Sequence, residues 1–252
     1  MIYHLAYDLQ DLEGSIVQGT RNCLRARQNL GGRTRFIYLS TGSVFDGESG
    51  PFSENDIPRP ITFYGQSKRK AEVDVLAAGE LVVRTALVYG LAPPDPITQV
   101  LGEGLISGTF RYPYFEDEIR CPICVDDLAP ALADCIALPA TVSTLHLAGP
   151  QPISRYNLAR NLAEQLGYDP DAVPRARLAK SSLTRPRDLT LDTSLARQLL
   201  PLTWREFFTY KITTVGFLPF ISKKKDINQK AITWCTPVSI KNFLFLNELR
   251  PS

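Results

Sequence analysis

The fold is decided by the stretch Phe36-Ile37-Tyr38-Leu39-Ser40-Thr41-Gly42-Ser43-Val44-Phe45-Asp46-Gly47, which a proline-marked loop connects to Tyr64-Gly65-Gln66-Ser67-Lys68. The apolar run that ends at Leu39 predicts a buried strand, with Thr41 just after its carboxyl end. The Tyr-x-x-x-Lys motif opens a predicted helix over residues 64–78. Because positions i and i+4 share one helix face, we expect Tyr64 and Lys68 to project together.

These three side chains predict a site for proton transfer. A nearby ammonium favours the phenolate form of a phenol, so Lys68 would bring Tyr64 closer to the working range of an acid/base catalyst. Thr41 can donate a hydrogen bond to the same substrate oxygen and stabilise charge that develops there. Tyr-x-x-x-Lys alone is also consistent with two surface residues on a helix, but its agreement with the strand end and the loop prolines favours the site.

The block over residues 36–72 resembles the extended short-chain dehydrogenase/reductase family, and the resemblance covers residues 1 to about 208. The Val-Phe-Asp-Gly ending of the strand segment is most similar to the dTDP-4-dehydrorhamnose reductase branch, whereas sugar-nucleotide epimerases more often carry Val-Tyr-Gly. The resemblance implies that Thr41, Tyr64 and Lys68 carry the chemistry.

The same resemblance implies a nicotinamide cofactor, NAD or NADP, and a nucleotide-linked sugar as substrate. The cofactor contacts that it implies are Ala6, Ser40, Tyr64, Lys68 and Thr85. The implied substrate contacts are Thr41 and, in an Arg-Pro…Leu-Asp-Thr-Ser segment, Arg185, since arginine can bind a phosphate in a bidentate manner. A solvated surface position is an equally good interpretation of Arg185. His4 and Arg84 are interpreted as structural residues.

Apolar strand segments alternate with helix-spaced segments along the chain. This pattern predicts an α/β fold, an incomplete Rossmann-like parallel sheet with helices on both faces, and the family implies a small substrate-binding lobe after Gly90. Ligands of such sheets bind at the carboxyl ends of the strands, where Thr41 lies. Strands are predicted over 2–7, 35–39, 81–90, 110–115 and 144–148, and helices over 12–30, 64–78, 99–106, 127–138 and 154–166.

Both ends of the sequence depart from the family pattern. The family's Gly-x-x-Gly-x-x-Gly turn, which lets helix amides approach a pyrophosphate, does not occur here. We expect Met1 to enter at the family's fourth strand, as if roughly 60 residues, about two βα units, were absent. This arrangement would expose a sheet edge and allow a homo-oligomer. Residues 1–208 are predicted to form the truncated reductase-like domain with its interleaved lobe, and the lysine-rich residues 209–252 a segment of foreign origin or a divergent extension without assigned role.

Composition excludes several classes of protein. The 252 residues carry a net charge of +2, which does not indicate a nucleic-acid or membrane-surface binder. The amino terminus lacks signal-peptide features and no apolar run reaches the roughly 20 residues of a membrane span, so we expect a cytoplasmic protein. Five cysteines argue against a disulfide framework. Cys121-Pro122-Ile123-Cys124 lacks zinc partners, so it predicts a strand rather than a zinc or redox centre.

The sequence leaves three functions open. The first is NAD(P)H-dependent reduction of a nucleotide-linked 4-keto sugar, with Tyr64 as proton donor, Lys68 tuning it and Thr41 holding the substrate oxygen. The second is a sugar-nucleotide epimerase or dehydratase, which would use the same residues with a tightly bound cofactor. The third is a non-catalytic regulatory or binding protein, an alternative that gains weight from the missing glycine turn.

Overall fold

The computed structural model describes residues 1–90 and 94–202, so the predicted segment 209–252 lies outside the described residues. The strands are β1 Ile2–His4, β2 Phe36–Thr41, β3 Leu81–Thr85, β4 Val88–Tyr89, β5 Tyr114–Phe115, β6 Ile119–Arg120, β7 Ile123–Cys124, β8 Thr144–Leu147, β9 Ile153–Ser154 and β10 Arg175–Ala176. The helices are α1 Gly19–Asn29, α2 Phe63–Ala77, α3 Pro96–Ser107, α4 Val125–Asp134, α5 Arg155–Gln165 and α6 Ser194–Leu199. A π-helical segment, Glu13–Gln18, leads into α1.

The central sheet is parallel and has the strand order β1-β2-β3-β8. Alternate residues of β2 enter two different cores because side chains alternate across a strand. Phe36 and Tyr38 pack with α1 and α2, whereas Ile37 and Leu39 pack with α4 and α6. The α/β architecture with helices on both faces of a parallel sheet is therefore confirmed.

A third apolar core lies between α3, α5 and β5. Its buried members include Leu101 from α3, Tyr114 from β5, and Leu158 and Leu162 from α5. β5 pairs in parallel with β10, which adds a short two-stranded ribbon to this part of the chain. This region follows Gly90, where the family resemblance implies a small substrate-binding lobe, and that role stays a prediction.

Several predicted boundaries were wrong. The segment 81–90 is not one strand, because β3 pairs with β2 and β8 whereas β4 pairs with β7. Residues 81–90 are all buried, so hydrophobicity does not mark the break. Helix α3 begins at Pro96 rather than at residue 99, since Asp95 caps it by accepting from the backbone N–H groups of Ile97 and Thr98. Of the predicted strand 110–115, only β5 is a strand.

The Cys-x-x-Cys segment has the structural context that the sequence predicts. Cys121 and Cys124 are buried free thiols, and β7 leads directly into α4. Within residues 1–90 and 94–202, no helix has the length and apolar character that crossing a membrane requires.

Candidate active site

The first turn of α2 is packed against the turn that follows Thr41. Thr62 caps the helix by accepting a hydrogen bond from the Gly65 N–H at 3.1 Å. A Cβ atom on Gly65 would lie 2.1 Å from the carbonyl oxygen of Ser43, so this close approach requires glycine. Because Tyr64 precedes Gly65, the approach brings the predicted proton donor to the carboxyl end of β2.

Lys68 lies one helical turn after Tyr64 and is buried beneath aromatic rings. Its Nζ donates a hydrogen bond of 2.9 Å to the carbonyl oxygen of Leu39. The same Nζ lies 4.9 Å from the ring centroid of Tyr38, 5.1 Å from that of Tyr7 and 6.0 Å from that of Tyr64. Cation–π attraction and the carbonyl dipole thus replace part of the stabilisation that an exposed ammonium gains from hydration.

Burial has a marked effect on the charge of Lys68. It lowers the pKa of Lys68 to about 7, and the negative charge of Glu72 partly opposes the shift. The Lys68 amine can therefore gain and lose a proton close to neutral pH. The Tyr-x-x-x-Lys spacing alone predicts the position of Lys68 on the helix but not this burial.

Thr41 ends β2 and pairs in register with Thr85, the last residue of β3. Its Oγ1 accepts the backbone N–H of Ser43 at 3.1 Å, and an accepting hydroxyl keeps its own hydrogen for donation. Thr41 is buried and borders a cleft. The cleft is lined by Thr41, Gly42, Ser43, Ala86, Leu87, Arg120 and Leu189.

Three of the five predicted cofactor contacts, Ala6, Ser40 and Thr85, lie at or just beyond the carboxyl ends of adjacent strands, which is where ligands of parallel sheets bind. Ala6 is exposed in the segment after β1. Ser40 and Thr85 are buried and donate their hydroxyl hydrogens inside the protein, Ser40 to Glu72 Oε1 at 2.6 Å and Thr85 to the Leu147 carbonyl oxygen at 2.7 Å. Their roles toward a cofactor stay predictions.

The described residues include donors that would suit the nicotinamide half of such a cofactor, whereas the turn after β1 offers no glycine for the pyrophosphate half. Tyr64 and Lys68 offer hydrogen-bond donors at the carboxyl edge of the sheet. They lie next to the segment that follows β1, because Lys68 contacts the ring of Tyr7 in that segment. Residues 5–12, which connect β1 to the following helical segment, contain no glycine. Within the part of the chain that the structure describes, the strand–helix turn after β1 therefore lacks the glycine cradle that brings helix amides to a pyrophosphate.

Arg185 is buried rather than solvated, so the surface interpretation of this arginine was wrong. Its Nη1 contacts both carboxylate oxygens of Glu118, at 3.2 and 3.3 Å. Its Nη2 is buried without a hydrogen-bond partner among the described residues. Glu118 also accepts from Arg120 at 2.8 Å, and Arg120 borders the Thr41 cleft. The Glu118 carboxylate thus links Arg185, the residue predicted to bind a phosphate, to Arg120, which lines the cleft.

Arg84 has the structural role expected of it, because it forms a bidentate ion pair with Glu72. His4 is also buried, and burial lowers its pKa to about 4, so its imidazole is neutral at pH 7. Sequence reasoning missed Glu72, Glu118 and Tyr7. The available signal for Glu72 was its spacing, since it lies four residues after Lys68 on the same helix face.

The chain shares its fold with solved structures of the Rossmann type. The crystal structure of a dTDP-4-dehydrorhamnose reductase from Bacillus anthracis in complex with NADP matches with a TM-score of 0.68 and 21% identity, over 81% of this chain and 75% of that chain. Sequence comparison then gives the family: residues 17–215 match the RmlD substrate binding domain, and the chain belongs to that family.

Two relatives show the range of this similarity. The dTDP-4-dehydrorhamnose reductase of Mycobacterium tuberculosis (strain CDC 1551 / Oshkosh) is 33% identical over 176 residues, which are 67% of this chain and 57% of the relative. Methionine adenosyltransferase 2 subunit beta of Bos taurus is 29% identical over 173 residues, 63% of this chain and 50% of the relative. The chain thus spans about half the length of either protein.

Proposed function

We propose that this chain has a dTDP-4-dehydrorhamnose reductase-like activity. It would catalyse the reduction of a nucleotide-linked 4-keto sugar with NADH or NADPH. The observation that supports it most is the close packing of the first turn of α2, which carries Tyr64 and Lys68, on the turn after Thr41. Membership of the family and the similarity to a mycobacterial reductase agree with this proposal.

In the proposed reaction, the nicotinamide, when bound, supplies the hydride that reduces carbon 4 of the sugar. Thr41 donates a hydrogen bond to the ketone oxygen and stabilises the negative charge that develops there. Tyr64 donates its phenolic proton to this oxygen, so the ketone becomes an alcohol and Tyr64 becomes a phenolate. Lys68, whose pKa of about 7 lets it exchange protons near neutral pH, stabilises the phenolate until a proton returns.

The nucleotide part of the substrate is assigned to Arg185. A buried guanidinium whose Nη2 has no partner among the described residues requires an acceptor, and a phosphate oxygen is an acceptor of suitable charge. Glu118 holds the opposite side of the same guanidinium. The substrate would thus lie between the Thr41 cleft and Arg185, with Arg120 on the shared wall.

The activity is tested with the purified chain, dTDP-4-dehydrorhamnose and either NADH or NADPH. We expect one reduced cofactor to be consumed for each sugar reduced. Tyr64→Phe removes the donated proton and should lower kcat by roughly 10²–10⁴-fold, which is the usual contribution of a general acid. Tyr168→Phe, which removes a hydroxyl beside the third core, should leave kcat unchanged.

Other results would contradict the proposal in different ways. Interconversion of sugar epimers without net cofactor oxidation would show an epimerase. A chain that binds neither cofactor and co-purifies with another enzyme would show a regulatory protein.

A further inference from the structure

Glu72 is a completely buried carboxylate in the middle of α2. Its Oε1 accepts from the Ser40 hydroxyl at 2.6 Å and from Arg84 Nε at 2.9 Å. Its Oε2 accepts from Arg84 Nη2 at 2.9 Å and from Arg69 Nη1 at 3.1 Å. One side chain of α2 is therefore bonded to β2 and β3 at the same time.

These bonds are made one residue away from Thr41, which lines the cleft, and from the Leu39 carbonyl, which binds Lys68. Ser40 precedes Thr41 on β2 and follows Leu39, whose carbonyl accepts from Lys68. Glu72 lies one helical turn after Lys68 on the same face of α2. Any shift of Glu72 against Ser40 would thus also shift Lys68 against Leu39.

We propose that Glu72 is a positioning residue for the Thr41–Tyr64–Lys68 group: together with Ser40 and Arg84 it fixes α2 against the ends of β2 and β3, and it supplies the negative charge that Lys68 faces. This inference rests on the proposed function only for its catalytic meaning. The geometry of the clamp, which is the set of bonds from Glu72 to Ser40 and Arg84, stands without it.

The charge state of Lys68 depends on Glu72 because of the other groups that surround Lys68. The groups near Lys68 are His4 and Tyr7 from β1 and the segment after it, Tyr38 from β2, Tyr64 and Glu72 on α2 and, through Glu72, Arg84 from β3. Glu72 is the carboxylate of this set, and His4 is neutral because burial lowers its pKa to about 4. Aromatic rings cannot replace a full negative charge.

Glu80 provides a matched control at the other end of β2. It is also buried, it accepts the backbone N–H of Phe36 at 2.7 Å, and it forms an ion pair with Arg27. Glu72→Gln and Glu80→Gln each remove one buried charge that is bonded to β2. A purely structural role for Glu72 predicts the same behaviour for both variants.

The test is an NMR titration of the Lys68 side chain, assigned from the signal that is missing in Lys68→Met. We expect Glu72→Gln to lower the titration midpoint of Lys68 by about one pH unit or more, the usual effect of removing a nearby opposite charge. Glu80→Gln should leave the midpoint unchanged. An unchanged midpoint in folded Glu72→Gln would overturn the proposal.

A second variant tests the clamp if Glu72→Gln does not fold. Ser40→Ala removes one hydroxyl and keeps every charge. We expect the amide hydrogens at the start of α2 to exchange at least tenfold faster in this variant, while those of α5 keep their rates. Equal rates at the start of α2 in Ser40→Ala and the wild type would overturn the proposal. Neither readout needs turnover, so an inactive chain would contradict the reductase function without deciding this inference.

Discussion

At the scale of the residue, Lys68 shows how the fold creates a chemical property that its sequence position does not carry. A lysine side chain is usually exposed, and its burial disfavours the charged form. Here Tyr7, Tyr38 and Tyr64 surround the ammonium, and the carbonyl of Leu39 accepts its hydrogen bond. Tyr7 comes from a segment that sequence reasoning did not connect with α2. The spacing of the motif therefore predicted that Tyr64 and Lys68 share a helix face, but not that tyrosines bury Lys68.

The depressed pKa of Lys68 predicts a specific dependence of stability on pH. The folded protein has a Lys68 pKa of about 7, against 10.5 for an exposed lysine, so between these values the unfolded chain binds more protons. The free energy of unfolding should therefore rise with pH over this range, by at most about 1.4 kcal/mol per pH unit from this group.

Lys68→Met should remove that rise and should stabilise the protein most at pH 7 and below. Urea unfolding at several pH values measures the effect. Lys70→Met is the control, because Lys70 is exposed on the same helix and pairs with Glu13. Parallel pH profiles for wild type and Lys68→Met would contradict the prediction.

At the scale of the element, the packing of α2 depends on a residue without a side chain. Gly65 allows the helix to approach the Ser43 carbonyl oxygen, and the Thr62 hydroxyl accepts the Gly65 N–H, which has no partner within the helix. The sequence predicted α2 to within a residue at each end, because capping and periodicity are local. It did not predict where β3 stops, because the break between β3 and β4 depends on pairing with β7, which is distant in sequence.

Gly65→Ala should destabilise the protein and displace the start of α2. The added Cβ would lie 2.1 Å from the Ser43 oxygen, and such overpacking costs about 1–3 kcal/mol. Gly102→Ala is the matched control, because Gly102 lies inside α3 and a Cβ added there would have no neighbour within 4 Å; it should stabilise by roughly 0.5–1 kcal/mol. Thermal unfolding measures the shift in Tm of each variant. Equal shifts in Tm would contradict the close packing of Gly65 on Ser43.

At the scale of the whole molecule, buried charges join segments that the sequence keeps far apart. Glu72 links α2 to two strands, and Glu118 links Arg120 to Arg185. The spacing from Lys68 gives the helix face of Glu72 but not its burial, and no local pattern places Glu118 inside the protein, since glutamate is almost always exposed. The strand–helix alternation and the candidate site could be predicted, whereas these networks follow only from tertiary packing.

Both histidines are buried, and both are neutral at pH 7. His146 is fully buried on β8, its Nδ1 lies 3.2 Å from the Asp192 carbonyl oxygen, and its Nε2 lies 3.5 Å from Arg84 Nη1. This arrangement suits a neutral ring that donates from Nδ1 and accepts at Nε2. Burial and Arg84 lower the pKa of His146 to about 4, and burial lowers the pKa of His4 to about 4.

Acid should therefore destabilise the protein over a window set by these histidines. Between pH 6.5 and pH 4 the unfolded chain binds protons that the folded protein does not bind, so their contribution to stability is complete above this window and is lost as the pH falls through it. Each histidine contributes at most about 1.4 kcal/mol per pH unit. Glu54 opposes the loss, because burial raises its pKa. His146→Gln should flatten the pH profile of urea unfolding between pH 4 and 6.5, whereas a profile as steep as that of the wild type would show that His146 is charged in the folded protein.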